Sequence, residues 1–181
     1  MGNTDNGDAA DRLRTLEGRI WRFPTGSVNK LPRSGGPTHP EAPLDLDIID
    51  HITASVREAQ DHVSANRTEN AGPMPANVAD VYDWWRASTP SLDAERTLAR
   101  EAVIYRQGLE HAIQAGDTKV VRKHPCPECG CWGLFWRRPE KRAVCANRDC
   151  RDEDGLARMW ELKHLAHEHV TRQKMLKATA T

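Results

Sequence analysis

No cysteine occurs before position 126, and no apolar run approaches the roughly 20 residues needed to cross a bilayer. The polar start, MGNTDNGDAADR, lacks the apolar core of a secretory signal, so the sequence predicts a cytoplasmic protein with no membrane association. An excess of charge of either sign is also missing. Lys and Arg number 26 and Asp and Glu number 26, which excludes the strongly basic footprint of a dedicated nucleic-acid protein. Aromatic residues other than tryptophan are scarce, with two Phe and two Tyr against six Trp, and hydrophobic residues make up 38% of the chain. Such a composition predicts a polar protein with a modest core and loose ends. No nucleophile–base pair, phosphate-binding loop or pair of catalytic carboxylates is recognisable, so a non-enzyme is expected.

All five cysteines fall in HPCPECGCWGLFWRRPEKRAVCANRDC, residues 124–150. Cys126 and Cys129 form a C-x2-C pair, and Cys145 and Cys150 form a C-x4-C pair after fifteen intervening residues. Each tight turn presents two thiolates to one ion, and the segment between folds back to join the turns, which suits tetrahedral Zn²⁺. Pro127 stiffens the first turn and Gly130 supplies the positive φ that closes it. An odd number of clustered cysteines argues against a secreted disulfide framework. Cys131 is left over as a free thiol, an alternative ligand or a redox-sensitive residue. Residues 132–137 and 141–144 read as two short strands about a Pro139-Glu140 turn, and a third strand is expected around residues 158–160.

The CPECG and CANRDC segments resemble the two knuckles of a zinc ribbon, the second in a longer form than the usual C-x2-C. From residue 124 to about 170 the chain is also similar to uncharacterised zinc-ribbon proteins of actinobacteria and their phages. The resemblance covers about a quarter of the chain and implies a fold for that part without assigning a reaction.

Residues 1–43 read as a disordered or loosely ordered arm and linker. Residues 11–19 form at most a brief helix, Trp21 and Phe23 sit in an apolar patch, and residues 32–43 hold four prolines and two glycines. Residues 44–117 read as a helical domain. Ile48, Ile49, Ile52, Val56, Ala59 and Val63 recur at helical spacing over residues 45–66. A second helix starts at Asn77, carries Val78, Val81, Tyr82 and Trp85, and ends before Pro90; Trp84 and Trp85 point about 100° apart, so one packs and the other is partly exposed. A third spans residues 91–115, with Leu98, Ala102, Tyr105, Leu109 and Ile113 in a stripe and Gly116 behind it. Residues 118–181 read as the ribbon followed by a helix over residues 161–177, with Leu162, Leu165, Ala166, Val170 and Leu176 on its apolar side. The fold class expected is α+β: a small helical bundle, a short antiparallel sheet and a C-terminal helix.

The zero net charge hides an asymmetry: residues 1–117 carry 12 basic and 18 acidic side chains (−6), residues 118–181 carry 14 and 8 (+6). Arg137, Arg138, Lys141 and Arg142 flank the hairpin turn beside Trp132, Phe135 and Trp136, and Lys119, Arg122 and Lys123 precede it. Cations for phosphates interleaved with flat rings for bases are what a surface for DNA or RNA needs. One alternative is a solvated hairpin tip whose aromatics face inward to cover the metal; another is an adaptor that contacts another protein through an apolar patch. Trp132, Leu134 and Trp136 are expected on one face, Phe135 and Arg137 on the other. His164 and His167, three apart on the last helix, read as surface residues, and His124 as a substitute ligand.

Three enzymatic or redox readings compete. His39-Pro40-Glu41 with Pro125-Cys126-Pro127-Glu128-Cys129 matches the deaminase H-x-E and P-C-x-x-C pattern, but the first triplet lies in a proline-rich run and the second cysteine pair would have no role. A C-x2-C dithiol redox centre lacks its βαβ surroundings. Four cysteines can also hold an iron–sulfur cluster. The favoured reading is a zinc-binding module that binds nucleic acid and is regulatory, with the protein adaptor as runner-up.

Overall fold

The computed structural model describes residues 4–20, 44–66 and 72–179. Trp21, Phe23, His39, Glu41 and the proline-rich residues 32–43 lie outside them. Helices come first, then a small three-stranded antiparallel sheet, then a terminal helix, the α+β arrangement expected.

Helix α1 spans Thr4–Glu17 and α2 spans Leu46–Asn66. On α2, Ile48, Ile52, Ser55, Ala59 and Val63 are buried, three or four residues apart, and form one face. Asn77 accepts a hydrogen bond from the Ala79 N–H and starts a 3₁₀ turn, Val78–Asp80, that runs into α3, Val81–Ser88. Trp85 is fully buried, whereas its neighbour Trp84 is half-buried and donates Nε1–H to the Gly72 carbonyl at 3.1 Å. Helix α4, Ala94–Gln114, is capped by Asp93, which accepts from the Arg96 N–H at 2.8 Å, and is followed by Gly116 at φ 91°.

α4 is the central element, buried on more than the one stripe its sequence suggests. Ile104 joins the core formed with α1, α2 and α3, while Leu109 and Ala112 join a second core that contains the cysteines. Of the expected stripe, Ala102 and Leu109 are buried and Leu98, Tyr105 and Ile113 are half-buried. Arg100, Gln107 and His111 are buried as well, and polar residues of this kind hide the second face from a hydrophobicity pattern.

The N-terminal stretch corrects one expectation. Residues 4–20, read as part of a loose arm, supply a helix whose Ala9, Leu13 and Leu16 are at most 2% exposed. Its apolar stripe is only three residues wide, and α4 compensates at Gly108. A Cβ there would lie 3.3 Å from the Cα of Ala9, so the missing side chain is what lets the backbones approach. Arg12 then donates to the Gly108 carbonyl at 3.0 Å.

Strand β1, Leu134–Arg137, pairs antiparallel with β2, Arg142–Cys145, with Leu134 opposite Cys145 and Arg137 opposite Arg142. β2 also pairs with β3, Met159–Trp160. The terminal helix α5, Leu162–Thr179, buries Leu162, Leu165 and Ala166 and packs chiefly along α4. Leu176, expected on the apolar side, is 64% exposed near the end of the helix.

Candidate metal centre and the basic surface beside it

The first knuckle is a tight turn closed by the Gly130 N–H donating to the Cys126 carbonyl at 2.9 Å, with Gly130 at φ 69°. The Cys126 N–H donates to the Cys131 carbonyl at 3.0 Å, and Pro125 bridges to Trp132, so the chain enters and leaves the turn as a narrow loop. The second knuckle starts at the end of β2. The Cys150 N–H donates to the Asn147 carbonyl at 3.1 Å, and Arg158, just before β3, accepts from the Cys145 N–H at 3.0 Å and donates its N–H to the Cys150 carbonyl at 3.2 Å. The sheet therefore fixes where the second pair of thiols stands relative to the first.

The sulfurs of Cys126, Cys129, Cys145 and Cys150 all lie within 4.8 Å of one another. Two contacts join the knuckles, Cys126 Sγ to Cys150 Sγ at 3.8 Å and Cys129 Sγ to Cys145 Sγ at 3.7 Å. A tetrahedral ion with metal–sulfur bonds of about 2.3 Å requires edges of about 3.8 Å. Cys126, Cys145 and Cys150 are at most 5% exposed, and Cys129 is half-buried. Leu109 and Ala112 from α4, Leu134 from β1 and Leu162 and Leu165 from α5 pack around them. Four thiols gathered in an apolar shell can hold a metal ion.

The thiols differ in how readily they ionise. The backbone N–H of Cys131 donates to the Cys129 sulfur and brings its pKa down to about 6. Burial pushes Cys145 up to about 11 against the opposing backbone N–H of Asn147, and burial raises Cys150 further. A divalent cation at the centre supplies the charge that buried thiolates otherwise lack, so loading releases protons.

Cys131 stands outside the four-sulfur group. Its side chain is exposed, 3.7 Å from the Asn147 amide. His124 is engaged elsewhere: it is 2% exposed, with Nε2 2.9 Å from the Tyr105 hydroxyl and the His169 ring 5.4 Å away. His164 and His167 are both exposed, His164 lying against the Trp160 ring. Among the described residues, the four cysteines form the one group of metal-ligating side chains this close together.

Arg137, Arg138, Lys141 and Arg142 are all exposed at the hairpin end of the sheet. Lys119, Arg122 and Lys123 are exposed on a 3₁₀ turn, Thr118–Lys123, that packs against β1. Arg137 pairs with Glu140 at 2.6 Å and Arg142 with Glu161 at 3.5 Å. The side chains of Arg138, Lys141, Lys119, Arg122 and Lys123 have no ion pair among the described residues.

The expected alternation of aromatics fails at one place. Leu134 is fully buried and Trp136 half-buried on the inner face, and Phe135 is 38% exposed on the outer one, but Trp132 is 69% exposed. Gly133 has φ 151°, a left-handed backbone that takes position 132 out of the strand and turns its indole to solvent.

Sequence reasoning missed a buried polar chain. Tyr82 Oη lies 2.9 Å from Gln107 Oε1 and 2.6 Å from His111 Nε2, and His111 Nδ1 lies 2.8 Å from His51 Nε2. The Gln107 amide is oriented by donating Nε2–H to the Ser55 carbonyl and to Glu58. Burial, with His51 adding to it, lowers the His111 pKa to about 3; burial and then Arg106 lower that of His51. The available signal was the four-residue step between Gln107 and His111, in line with Ile104 on the bundle side of α4. No protein-family model, curated protein or solved structure matches the chain.

Proposed function

We propose that residues 118–181 form a zinc ribbon, and that the protein is a non-enzymatic module that binds nucleic acid and serves a regulatory role. Zinc is favoured by the donor set and the spacing. Four thiolates suit a tetrahedral d¹⁰ ion, and sulfur contacts of 3.7 and 3.8 Å match one ion, whereas an iron–sulfur cluster sits between its ligands and holds them farther apart. With four protein ligands such an ion keeps no open position for water, which supports a structural role.

The observation that carries the nucleic-acid reading is Trp132, 69% exposed at the knuckle end of β1, with exposed Phe135 and then the cations of the hairpin turn following it along the chain. A large aromatic turned outward by a glycine does not serve the core, and it offers stacking to one base of a single strand while the arginines at the turn end of the hairpin meet phosphates farther along it. The pairs Arg137–Glu140 and Arg142–Glu161 are what the adaptor reading expects, but they join side chains 31–49% exposed. Exposed pairs of this kind contribute about 0–1 kcal/mol, so a phosphate can displace the carboxylate.

The test is a shift assay with single-stranded oligonucleotides over a salt series. Each phosphate contact contributes about −0.7 to the slope of log K against log salt for single strands. Arg137→Glu with Arg138→Glu should flatten that slope and weaken binding. Binding that persists with an unchanged slope removes this surface as the contact, and absence of salt-dependent binding in the wild type favours the protein adaptor.

A further inference from the structure

Between α2, α4 and the hairpin lies a cleft of about 990 Å³ that the metal centre does not use. The hairpin side of its lining carries Arg138, Lys141 and the half-buried Trp136 together with Glu140, and the helical side carries His51 and Asp47 with Glu110. The His51 ring is set by the chain of hydrogen bonds behind it. Gln107 Oε1 can only accept, so the single Tyr82 hydroxyl proton goes to it. His111 Nε2–H must then donate to the Tyr82 oxygen, which leaves His111 Nδ1 as an acceptor for His51 Nε2–H. A neutral His51 consequently carries its lone pair on Nδ1. That atom has no hydrogen-bond partner among the described residues and is reached by solvent, and His51 lines the cleft.

We propose that this cleft is a nucleotide-binding site: phosphate oxygens meet Arg138 and Lys141, the base lies against Trp136, and an exocyclic amino group of the base donates to His51 Nδ1. The inference rests on the nucleic-acid reading and gives it a substrate class, single-stranded segments with an amino-bearing base. Each feature answers one part of such a ligand. Unpaired cations on one wall fit its anionic end, a flat ring fits the base, and a fixed acceptor beside a carboxylate on the opposite wall fits a donor at the far edge of that base. A cleft of this volume stands at the upper end of the range of about 300–1,000 Å³ for ligand pockets, with room for more than one nucleotide unit. The burial of His51 holds it neutral and so keeps the acceptor at neutral pH.

The probe is adenosine 5′-monophosphate added to the full-length, zinc-loaded protein, followed by histidine ring ¹⁵N resonances. The expected result is a saturable shift of His51 Nδ1, the bare nitrogen of that ring, with inorganic phosphate and adenosine alone each binding more weakly. Arg138→Ala with Lys141→Ala, both on an exposed turn, should weaken the nucleotide by about tenfold or more, the loss expected for charge-assisted bonds. His51→Asn should weaken it too, and thermal unfolding of each variant identifies any loss that comes from misfolding. Nucleotide binding that leaves the His51 signal still, or that is indifferent to the double variant, overturns the cleft site. An oligonucleotide that binds while the mononucleotide leaves the cleft unperturbed also overturns it and spares the wider reading; failure of both to bind removes both.

Discussion

The Tyr82 hydroxyl stands 2.6 Å from His111 Nε2 inside the helical core, where neither side chain is exposed. Both residues are fully buried, and the hydroxyl also serves Gln107. Tyr82→Phe keeps the ring volume but leaves the Gln107 carbonyl and His111 Nε2–H without a partner. A buried group stranded in this way costs about 1–3 kcal/mol. The expected outcome is a lower urea midpoint with an unchanged m-value, measured by far-ultraviolet circular dichroism.

The same histidine makes stability depend on pH. Its pKa falls from 6.5 in the unfolded chain to about 3 in the fold, with burial the main cause. The folded state holds His111 neutral, so between those values the unfolded chain binds the extra proton and stability rises with pH. The full contribution is present above 6.5 and is lost as pH falls toward about 3, at about 1.4 kcal/mol per unit. From pH 7 to pH 4.5 the protein should lose on the order of 3 kcal/mol through this group. Acid also strips metal from thiolates, so the measurement compares wild type with His111→Gln under the same metal buffer: the variant's unfolding free energy should fall less steeply over that interval.

How much of this was readable in advance varied with the locality of the signal. Cys126, Cys129, Cys145 and Cys150 were legible because two tight turns and one hairpin decide where their sulfurs go, and 3.7–3.8 Å contacts follow from that local geometry. α2 was legible because Ile48, Ile52, Ala59 and Val63 repeat at helical spacing. α1 was not: Ala9, Leu13 and Leu16 are a thin stripe among polar residues, and the partner that makes it sufficient is the absence of a side chain at Gly108, ninety-nine positions after Ala9. Gln107, His111, Tyr82 and His51 escaped for a related reason. Polar residues interrupt apolar patterns, and only the fold shows that they satisfy one another.

Gly108 offers a test of whether α1 belongs to the core. Ala9 Cα and Cβ would both stand 3.3 Å from a Cβ at 108, and backbone cannot yield as a flexible side chain does. Gly108→Val adds branching on top of that contact and should destabilise the protein by about 1–3 kcal/mol, the usual cost of overpacking. Limited proteolysis distinguishes local release from global loss. Cleavage within residues 4–20 should accelerate before cleavage in α4 does, whereas equal acceleration at both would show that the two helices come apart together with the fold.

Metal removal should separate the two cores. Cys145 is 3% exposed, lies opposite Leu134 in the sheet and contacts Cys129 across the knuckles. Cys145→Ser removes one of four thiolates; elemental analysis should find one metal ion per chain in the wild type, zinc on the proposed reading, and close to none in the variant. Folding of such a site is coupled to its metal, so the sheet should lose its order. The α1–α3 cluster draws on Ile104 of α4, whereas the cysteine cluster draws on Leu109 and Ala112. The helical signal should accordingly survive in most part, and protection of the Tyr82 and Trp85 region from hydrogen exchange should persist.

Trp132 separates the nucleic-acid and adaptor readings of this surface without touching the fold. Gly133 at φ 151° turns the indole outward to 69% exposure, so Trp132→Ala removes little that the core uses and the unfolding temperature should hardly move. Stacking of a base on an aromatic is worth about 1–3 kcal/mol, so oligonucleotide affinity should fall by roughly fivefold to more than a hundredfold. The salt slope should stay the same, because the phosphates still meet Arg137, Arg138, Lys141 and Arg142. Charge reversal of the arginines gives the opposite signature, a flattened slope, and the two together assign stacking and charge to different side chains. An adaptor that meets a protein through this face would lose that partner on Trp132→Ala while showing no salt-steep binding to nucleic acid in either form.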